Sequence, residues 1–477
     1  MTSHANSTPI PPGIEVPDEV RTRLGTLRFF DGFPDDETTR TLFDNLDFQR
    51  AVQAYLLALP APSVAAVRKA LLAWGPANST MAIWEDLVYP RSVVLTGNNN
   101  TSYSTMLIDL HDGPLVLESP PGVLGMINDS WQRWVVDIGL TGPDKGQGGK
   151  YLFLPPAYDR EVPDGYFVVR PRTYVLWLMW RGFLDEHGDP HPGVETVKAT
   201  TRVYPLAEAA DPPPLRFVNT SPESIVFVPP AGYRAWELLA ETVQSEPPES
   251  SDPLTLGMFA SLGIRHGQPF DPDERMRAIL TEAAAVGDAT ARALAYRFRR
   301  PESYYYPDSA WRTGFLGGYR FQEDGVALLD SAAQYYFVGA LISPALEVEM
   351  IGTGSQYAFD FVDAEGAHFD GGKTYRLHVP ANVPAVDFWS VIAYDTQTRS
   401  MLQIGQDWPS ISSQDEDLAP NDDSSVDVHF GPERPKDSRN WIQTLPGKSW
   451  FVAFRLYGPL EPWFDKTWRL PDIEPLG

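Results

Sequence analysis

The chain has 477 residues, with 38 lysines and arginines against 63 aspartates and glutamates, a formal charge of −25. That acid excess excludes nucleic acid and an anionic membrane as partners, since both reward a basic surface. A content of 43% apolar and 12% aromatic residues excludes a disordered chain, and the lack of cysteine excludes disulfides, thiolate metal sites and cysteine nucleophiles.

At ~100–200 residues per domain the length corresponds to about two to four domains. Residues 1–32 read as a polar, Pro-rich tail and lead-in. No basic start precedes an apolar core there, so a cytoplasmic location is expected. Asp35, Asp36 and Glu37 suit a helix N-terminus. Leu42, Leu46, Gln49 and Val52 share a face, Pro60 and Pro62 break it, and Val64, Val67 and Leu71 resume it, predicting two short helices. A β-rich part follows from Ile83 to Phe227. Within it, Asp112-Gly113 predicts a hairpin between residues 104–110 and 115–118.

Residues 231–303 read as a helical insert. Asp252-Pro253 and Asp271-Pro272 each suggest an N-cap followed by proline at the first helical position, and Glu274 completes a capping box with Asp271. Met276, Ile279, Leu280 and Ala283 form the buried stripe, with Gly263 and Gly287 as stops. The second β-rich part runs from Arg320 to Tyr457. Tyr375, Leu377 and Val379 alternate with polar neighbours, as do Val426, Val428 and Phe430. Trp450, Val452, Phe454 and Leu456 point one way, and Phe451, Ala453, Arg455 and Tyr457 the other. The uncharged stretch 331–346 is shorter than the ~18 residues a membrane span needs.

The expected fold is therefore mainly β with helical elements. Two β-sandwich or jelly-roll-like domains occupy 33–230 (short helices first) and 304–477, with the helical insert between them. The abundance of proline, 45 residues, favours short strands and many turns. The acidic stretch 414–427 reads as a solvated loop.

Familiar signatures are missing: no dinucleotide fingerprint, no phosphate-binding loop ending in Lys-Ser/Thr, no Gly-x-Ser-x-Gly elbow. His187 and His191 sit in a turn-rich stretch, and His368 and His378 flank a hairpin, so no metal ligand is assigned and any cofactor is left open. The informative stretches interleave polar groups with aromatics. In residues 131–146, Trp131 and Trp134 accompany Arg133, Asp137 and Lys145. In residues 304–313, Tyr306 and Trp311 accompany Asp308 and Arg312. One reading is an aromatic-lined cleft between the domains. There Asp137 or Asp308 acts as acid/base and Arg133, Arg312 or Lys145 steadies developing negative charge. Trp131, Trp134, Tyr306 and Trp311 form its walls. The other is structural: Arg133 and Asp137 pair four residues apart, and the tyrosines cover sandwich edges. The functional reading makes the protein a hydrolase or lyase acting on a small organic or sugar-like substrate. The alternative is a non-catalytic protein binding carbohydrate or an apolar ligand. The expected partner is a small molecule, with a homo-oligomer left open.

Six stretches also carry a family resemblance: Leu46–Tyr55, Gly122–Met126, Asp137–Lys145, Tyr304–Thr313, Arg399–Gln403 and Tyr457–Lys466. Together the chain resembles the two-part bacterial family of domains of unknown function 1254 (N-terminal) and 1214 (C-terminal), over residues 33–468. The resemblance implies two β-sandwich domains with helical elements around and between them, and no activity. One departure stands out. The family's string before a tyrosine is Asn-Thr-Asp-Thr-like, where this chain has Asn98-Asn-Asn-Thr-Ser-Tyr103. An acid acting there as ligand or base is not replaced by Asn100, because an amide takes no proton at neutral pH.

Overall fold

The structure, a computed structural model, describes residues 8, 10, 11, 13–436 and 438–476. The lead-in, where described, is not a plain tail: strands Glu19–Thr22, Gly25–Phe30 and Phe33–Pro34 form an antiparallel ribbon. Its Phe30 and Phe33 are exposed, so no apolar alternation marks it in the sequence. Helix α1 (Asp36–Ala58) starts at Asp35, whose carboxylate accepts from the Thr38 amide at 2.7 Å. It runs 23 residues before Pro60 opens α2 (Pro60–Leu72) at a 54° bend. The first helix is thus long, and its buried face is Ala51, Ala54, Tyr55 and Ala58 instead of the stripe through Leu46, which is exposed.

A third helix, α3 (His191–Thr200), lies within the first β-rich part, and the insert contains α4 (Arg234–Ser245), α5 (Pro253–Ser261) and α6 (Glu274–Tyr296). Asp252 caps α5 as expected, accepting from Thr255 N at 2.9 Å. The cap of α6 is Asp273, bonded to Met276 N at 2.7 Å, so Asp271 and Glu274 form no capping box. Gly287 does not stop α6. It lies inside the helix, where a Cβ would come within 2.5 Å of the Tyr55 ring, so glycine lets α1 and α6 approach.

The N-terminal sandwich has two sheets. The larger has the order Arg216–Asn219, Thr80–Trp84, Ser102–Asp109, Val175–Gly182, Leu124–Asp129 and Trp134–Gly139. The smaller has the order Phe167–Val169, Gly149–Phe153, Leu115–Ser119 and Arg202–Pro205. The turn at Asp112-Gly113 forms, but Ser102–Asp109 and Leu115–Ser119 belong to different sheets, so it is a corner and not a hairpin. In the C-terminal sandwich, Ser355–Asp360, Ser449–Pro459, Ala385–Asp395 and Ser410–Ser412 make one sheet, with Phe369–Asp370 also paired to Ser449–Pro459. Trp441–Gln443, Val426–Gly431, Thr374–Val379 and Glu474–Leu476 make the other.

Both large sheets are buried on both faces. On Val175–Gly182, Leu176, Leu178 and Trp180 enter the N-terminal sandwich core. Val175, Trp177 and Met179 point the other way, into a second core shared with the C-terminal half. On Ser449–Pro459, Val452, Phe454 and Leu456 fill the C-terminal sandwich, and Phe451 and Ala453 meet the shared core. Four β layers therefore stack, and a third core lies between the two sandwiches. Among the described residues no single helix is long and apolar enough to cross a membrane.

Side-chain amides pin the two halves together. Helix α7 (Leu329–Val338) leads into the segment 339–343, which runs over the N-terminal sheet. Asn128, fully buried, donates to Ile342 O and accepts from Ile342 N, both at 2.7 Å. Gln132 accepts from Leu341 N at 2.8 Å. Asn128 thus copies the hydrogen bonding of a neighbouring strand. Asn128→Ala leaves the Ile342 N–H and C=O without partners in a dry interior, at about 1–3 kcal/mol for each group. A stability loss of about 2–6 kcal/mol is expected from urea unfolding; an unchanged midpoint would show that these bonds hold nothing.

Candidate functional site

Alternation along two strands delivers charged groups into the shared core. On Val175–Gly182 the residue after Val175, Trp177 and Met179 on the inner face is Arg181. Its cross-strand neighbour is Tyr103. On Ser449–Pro459 the inner face continues from Phe451 and Ala453 to Arg455 and Tyr457, and Arg455 lies opposite Tyr357. Each sheet therefore contributes an arginine beside a tyrosine. Between them lies a cavity of about 130 Å³.

One part of the cavity wall is apolar: Trp84, Met126, Trp177, Met179, Phe227 and Leu346. The other is polar. Arg455 is 4% exposed; its guanidinium donates to Thr96 O at 2.9 Å and to the Tyr394 hydroxyl. Tyr394 in turn donates to Gly97 O at 2.7 Å, and Asn98 Nδ2 donates to the Tyr457 hydroxyl at 2.6 Å. The segment 94–99 of the N-terminal half is thereby docked on the C-terminal sheet, with Asn99 Nδ2 donating to Ser410 Oγ at 2.8 Å. Arg181 is 8% exposed and lies 5.7 Å from the Tyr103 ring centroid. Among the described residues neither arginine is ion-paired, and the lining contains no aspartate or glutamate. Burial opposes ionisation of the Tyr103 phenol, but Arg181 and Arg455 together bring its pKa below the ordinary tyrosine value. Tyr457 goes the other way, raised by burial.

None of the nine residues singled out in the sequence lines this cavity. Trp131 is buried in the helical cluster, stacked on Phe259 with ring centroids 6.0 Å apart. Arg133 pairs with Asp129 at 2.6 Å, and not with Asp137. The reason is local: Gln132 adopts φ 53° in a tight turn, so spacing by four carries no helical meaning here. Trp134 and Asp137 do meet, the indole N–H donating to Oδ1 at 2.8 Å. Lys145 is exposed on a turn. Asp308 is 71% exposed and bonded to Arg469 at 2.8 Å, which lowers its pKa. Arg469 also covers the Tyr306 ring at 4.6 Å. Trp311 is core, donating to Pro471 O at 2.8 Å. Arg312 is buried against Phe361 and donates to Ala295 O; burial pushes its pKa down to about 10. These groups are spread over separate places and form no common cleft.

The cavity residues missed in the sequence carried a signal. Arg455 is a lone cation inside the run Trp450–Tyr457, where every neighbour is buried. Arg181 stands likewise between Trp180 and Gly182 at the end of an apolar strand.

Asp137 is separately testable. Burial, against the Trp134 hydrogen bond, pushes its pKa up from 3.8 to about 6. The folded chain therefore holds this proton more tightly than the unfolded one. The associated stability is complete below pH 3.8 and lost as the pH rises through about 6. Asp137→Asn keeps an acceptor for Trp134 and removes the buried charge. Near pH 8 it should stabilise the protein by up to about 3 kcal/mol, at ~1.4 kcal/mol per pKa unit, with the gain vanishing below about pH 4. Thermal unfolding at the two pH values checks this; a pH-independent difference would contradict it.

Comparison with known proteins gives a family and a fold. "Protein of unknown function (DUF1254)" matches residues 79–205, which cover the N-terminal sandwich apart from its Arg216–Asn219 edge strand. "Protein of unknown function (DUF1214)" matches residues 354–461, most of the C-terminal sandwich. The crystal structure of the VPA0106 protein from Vibrio parahaemolyticus is similar with a TM-score of 0.55 and 17% identity, covering 90% of this chain and 100% of that one. It shares the fold. A putative uncharacterized protein from Burkholderia cenocepacia gives a TM-score of 0.41 and 14% identity, over 92% of this chain and 96% of that one. No curated protein matches the chain. The chain thus carries both parts of the two-part family it resembles, the domain of unknown function 1254 preceding the domain of unknown function 1214.

Proposed function

We propose that the protein holds a small organic molecule with one polar end in the cavity between its two central sheets. The observation that carries this is the cavity itself, apolar on one side and polar on the other, at a domain interface, where ligand sites preferentially form. The class includes the hydrolase or lyase suggested by the sequence and a plain ligand-binding protein. Carboxylate acid/base chemistry would have no group in this lining, because Asp137 and Asp308 lie elsewhere. The group suited to carry a proton there is the Tyr103 phenol, flanked by two guanidinium groups. That flanking favours the catalytic form, a proton transfer of the lyase type, over simple storage.

Two measurements test this. Trp84 and Trp177 line the cavity, so a small neutral aromatic such as benzyl alcohol should change tryptophan fluorescence saturably. Met179→Trp, which fills the space, should abolish the change; equal binding to both proteins would place the ligand elsewhere. For the catalytic form, ultraviolet titration should show one phenol ionising below the usual ~10, absent in Tyr103→Phe. Identical titration curves for the two proteins would remove Tyr103 as the proton carrier.

A further inference from the structure

A guanidinium taken out of water loses a large hydration energy, so buried arginines are normally matched by carboxylates. The half-buried Arg133 and Arg292 have carboxylate partners, Asp129 at 2.6 Å and Asp288 at 2.8 Å. The buried Arg312 and Arg399 have no ion-pair partner among the described residues, but each donates to backbone carbonyl oxygen and lies away from this cavity. What sets Arg181 and Arg455 apart is that both line one cavity. Neither has a carboxylate partner among the described residues, although both are more than nine-tenths buried. What surrounds them is phenol and carbonyl oxygen. Arg455 uses part of its donor fork on Thr96 O and the Tyr394 hydroxyl, and Arg181 faces the phenols of Tyr103, Tyr357 and Tyr457. Arg181 lies 5.7 Å from the Tyr103 ring centroid and Arg455 5.7 Å from that of Tyr357, and both arginines line the cavity together with Tyr103, Tyr357 and Tyr457. A chain of formal charge −25 has thus kept every acid out of the lining while placing two positive charges in it.

We propose that the cavity takes a small organic anion, a monocarboxylate with an apolar body, whose carboxylate lies between Arg181 and Arg455. This rests on the cavity reading above and adds the charge and class of the ligand. A planar carboxylate matches the donor fork of a guanidinium, and a dry site makes such charge-assisted bonds strong. The apolar wall formed by Trp84, Trp177, Met126 and Met179 suits an aromatic or branched hydrocarbon body. At ~10–15 Å³ for each water-sized position, the cavity holds about ten non-hydrogen atoms, the size of an arylacetate. A carboxylate there also sits beside Tyr103, so the group to which a proton would be transferred adjoins the group that anchors the substrate.

The test compares phenylacetate, its neutral isostere phenylacetamide, and phenyl phosphate, each titrated by calorimetry into the full chain. Phenylacetate should bind at least about tenfold more tightly than phenylacetamide. Arg181→Met and Arg455→Met should each erase that preference, so that acid and amide bind the variant equally. Equal affinity for acid and amide overturns the anion while the cavity reading stands. Binding of the phosphate in preference to the carboxylate overturns the class, and binding of none of the three overturns both. Arg181→Met also has a readout that needs no ligand. A cation waiting for an anion is a burden in the empty protein, so this variant should melt no lower than the parent, and only the parent should gain thermal stability on adding phenylacetate. A marked fall in its melting temperature would make Arg181 a structural tether and overturn the proposal.

Discussion

Every other feature of this molecule depends on the burial of two sheets on both faces. A sheet with one wet face can alternate apolar and polar residues and stand alone. The strands Val175–Gly182 and Ser449–Pro459 do not: both sides of each are dry. The inner faces can leave water only by meeting each other, and that meeting creates the third core. It also sets the chemistry, because any polar side chain on an inner face must find its partner within the interface. Arg181, Arg455, Tyr103, Tyr357 and Tyr457 are those side chains, and the cavity is the space they leave.

The net charge acquires a different meaning in this light. The acids serve mainly at helix starts and on the outside: Asp35, Asp252 and Asp273 cap helices, and Asp308 and Asp423 are exposed. The interior between the sandwiches has the opposite polarity. A negative exterior does not attract anions over long distances, so the preference inside must come from short-range donors that have already lost their water. Two residues of the 94–99 segment, Thr96 and Asn98, take part by turning a carbonyl and an amide toward Arg455 and Tyr457.

Much of the fold was legible in the sequence, for reasons that particular residues make clear. Asp35 and Asp252 mark helix starts because a carboxylate satisfies free amides at that position. The alternation from Trp450 to Tyr457 reads correctly as two faces, since the period of a strand is local. What lies against each face is not local. Asp112-Gly113 looks like a hairpin turn, yet the two strands it joins part into different sheets. Gly287 looks like a helix stop, yet it answers to Tyr55 on another helix. The site was hidden for the same reason. Arg133 and Asp137 are four residues apart in the sequence, whereas Arg181 and Arg455 come from opposite halves. Their meaning depends on a cavity that neither half contains. The aromatic, polar stretches turned out to be distributed among core packing, turns and a surface ion pair.

The doubly buried sheets also bear on how such a gene can be divided. The two family segments, 79–205 and 354–461, look like natural places to cut. Separated, each would bare a broad apolar face carrying a lone arginine, a surface of the kind that drives aggregation. The N-terminal segment would also lose the partners of its amides: Asn98 and Asn99 grip Tyr457 and Ser410 of the other segment, and Asn128 grips Ile342, which lies outside both. Fusion into one polypeptide keeps the partners at high effective concentration from synthesis onward. For this chain the boundary between the two segments marks a seam in the sequence and the middle of a single cooperative interior.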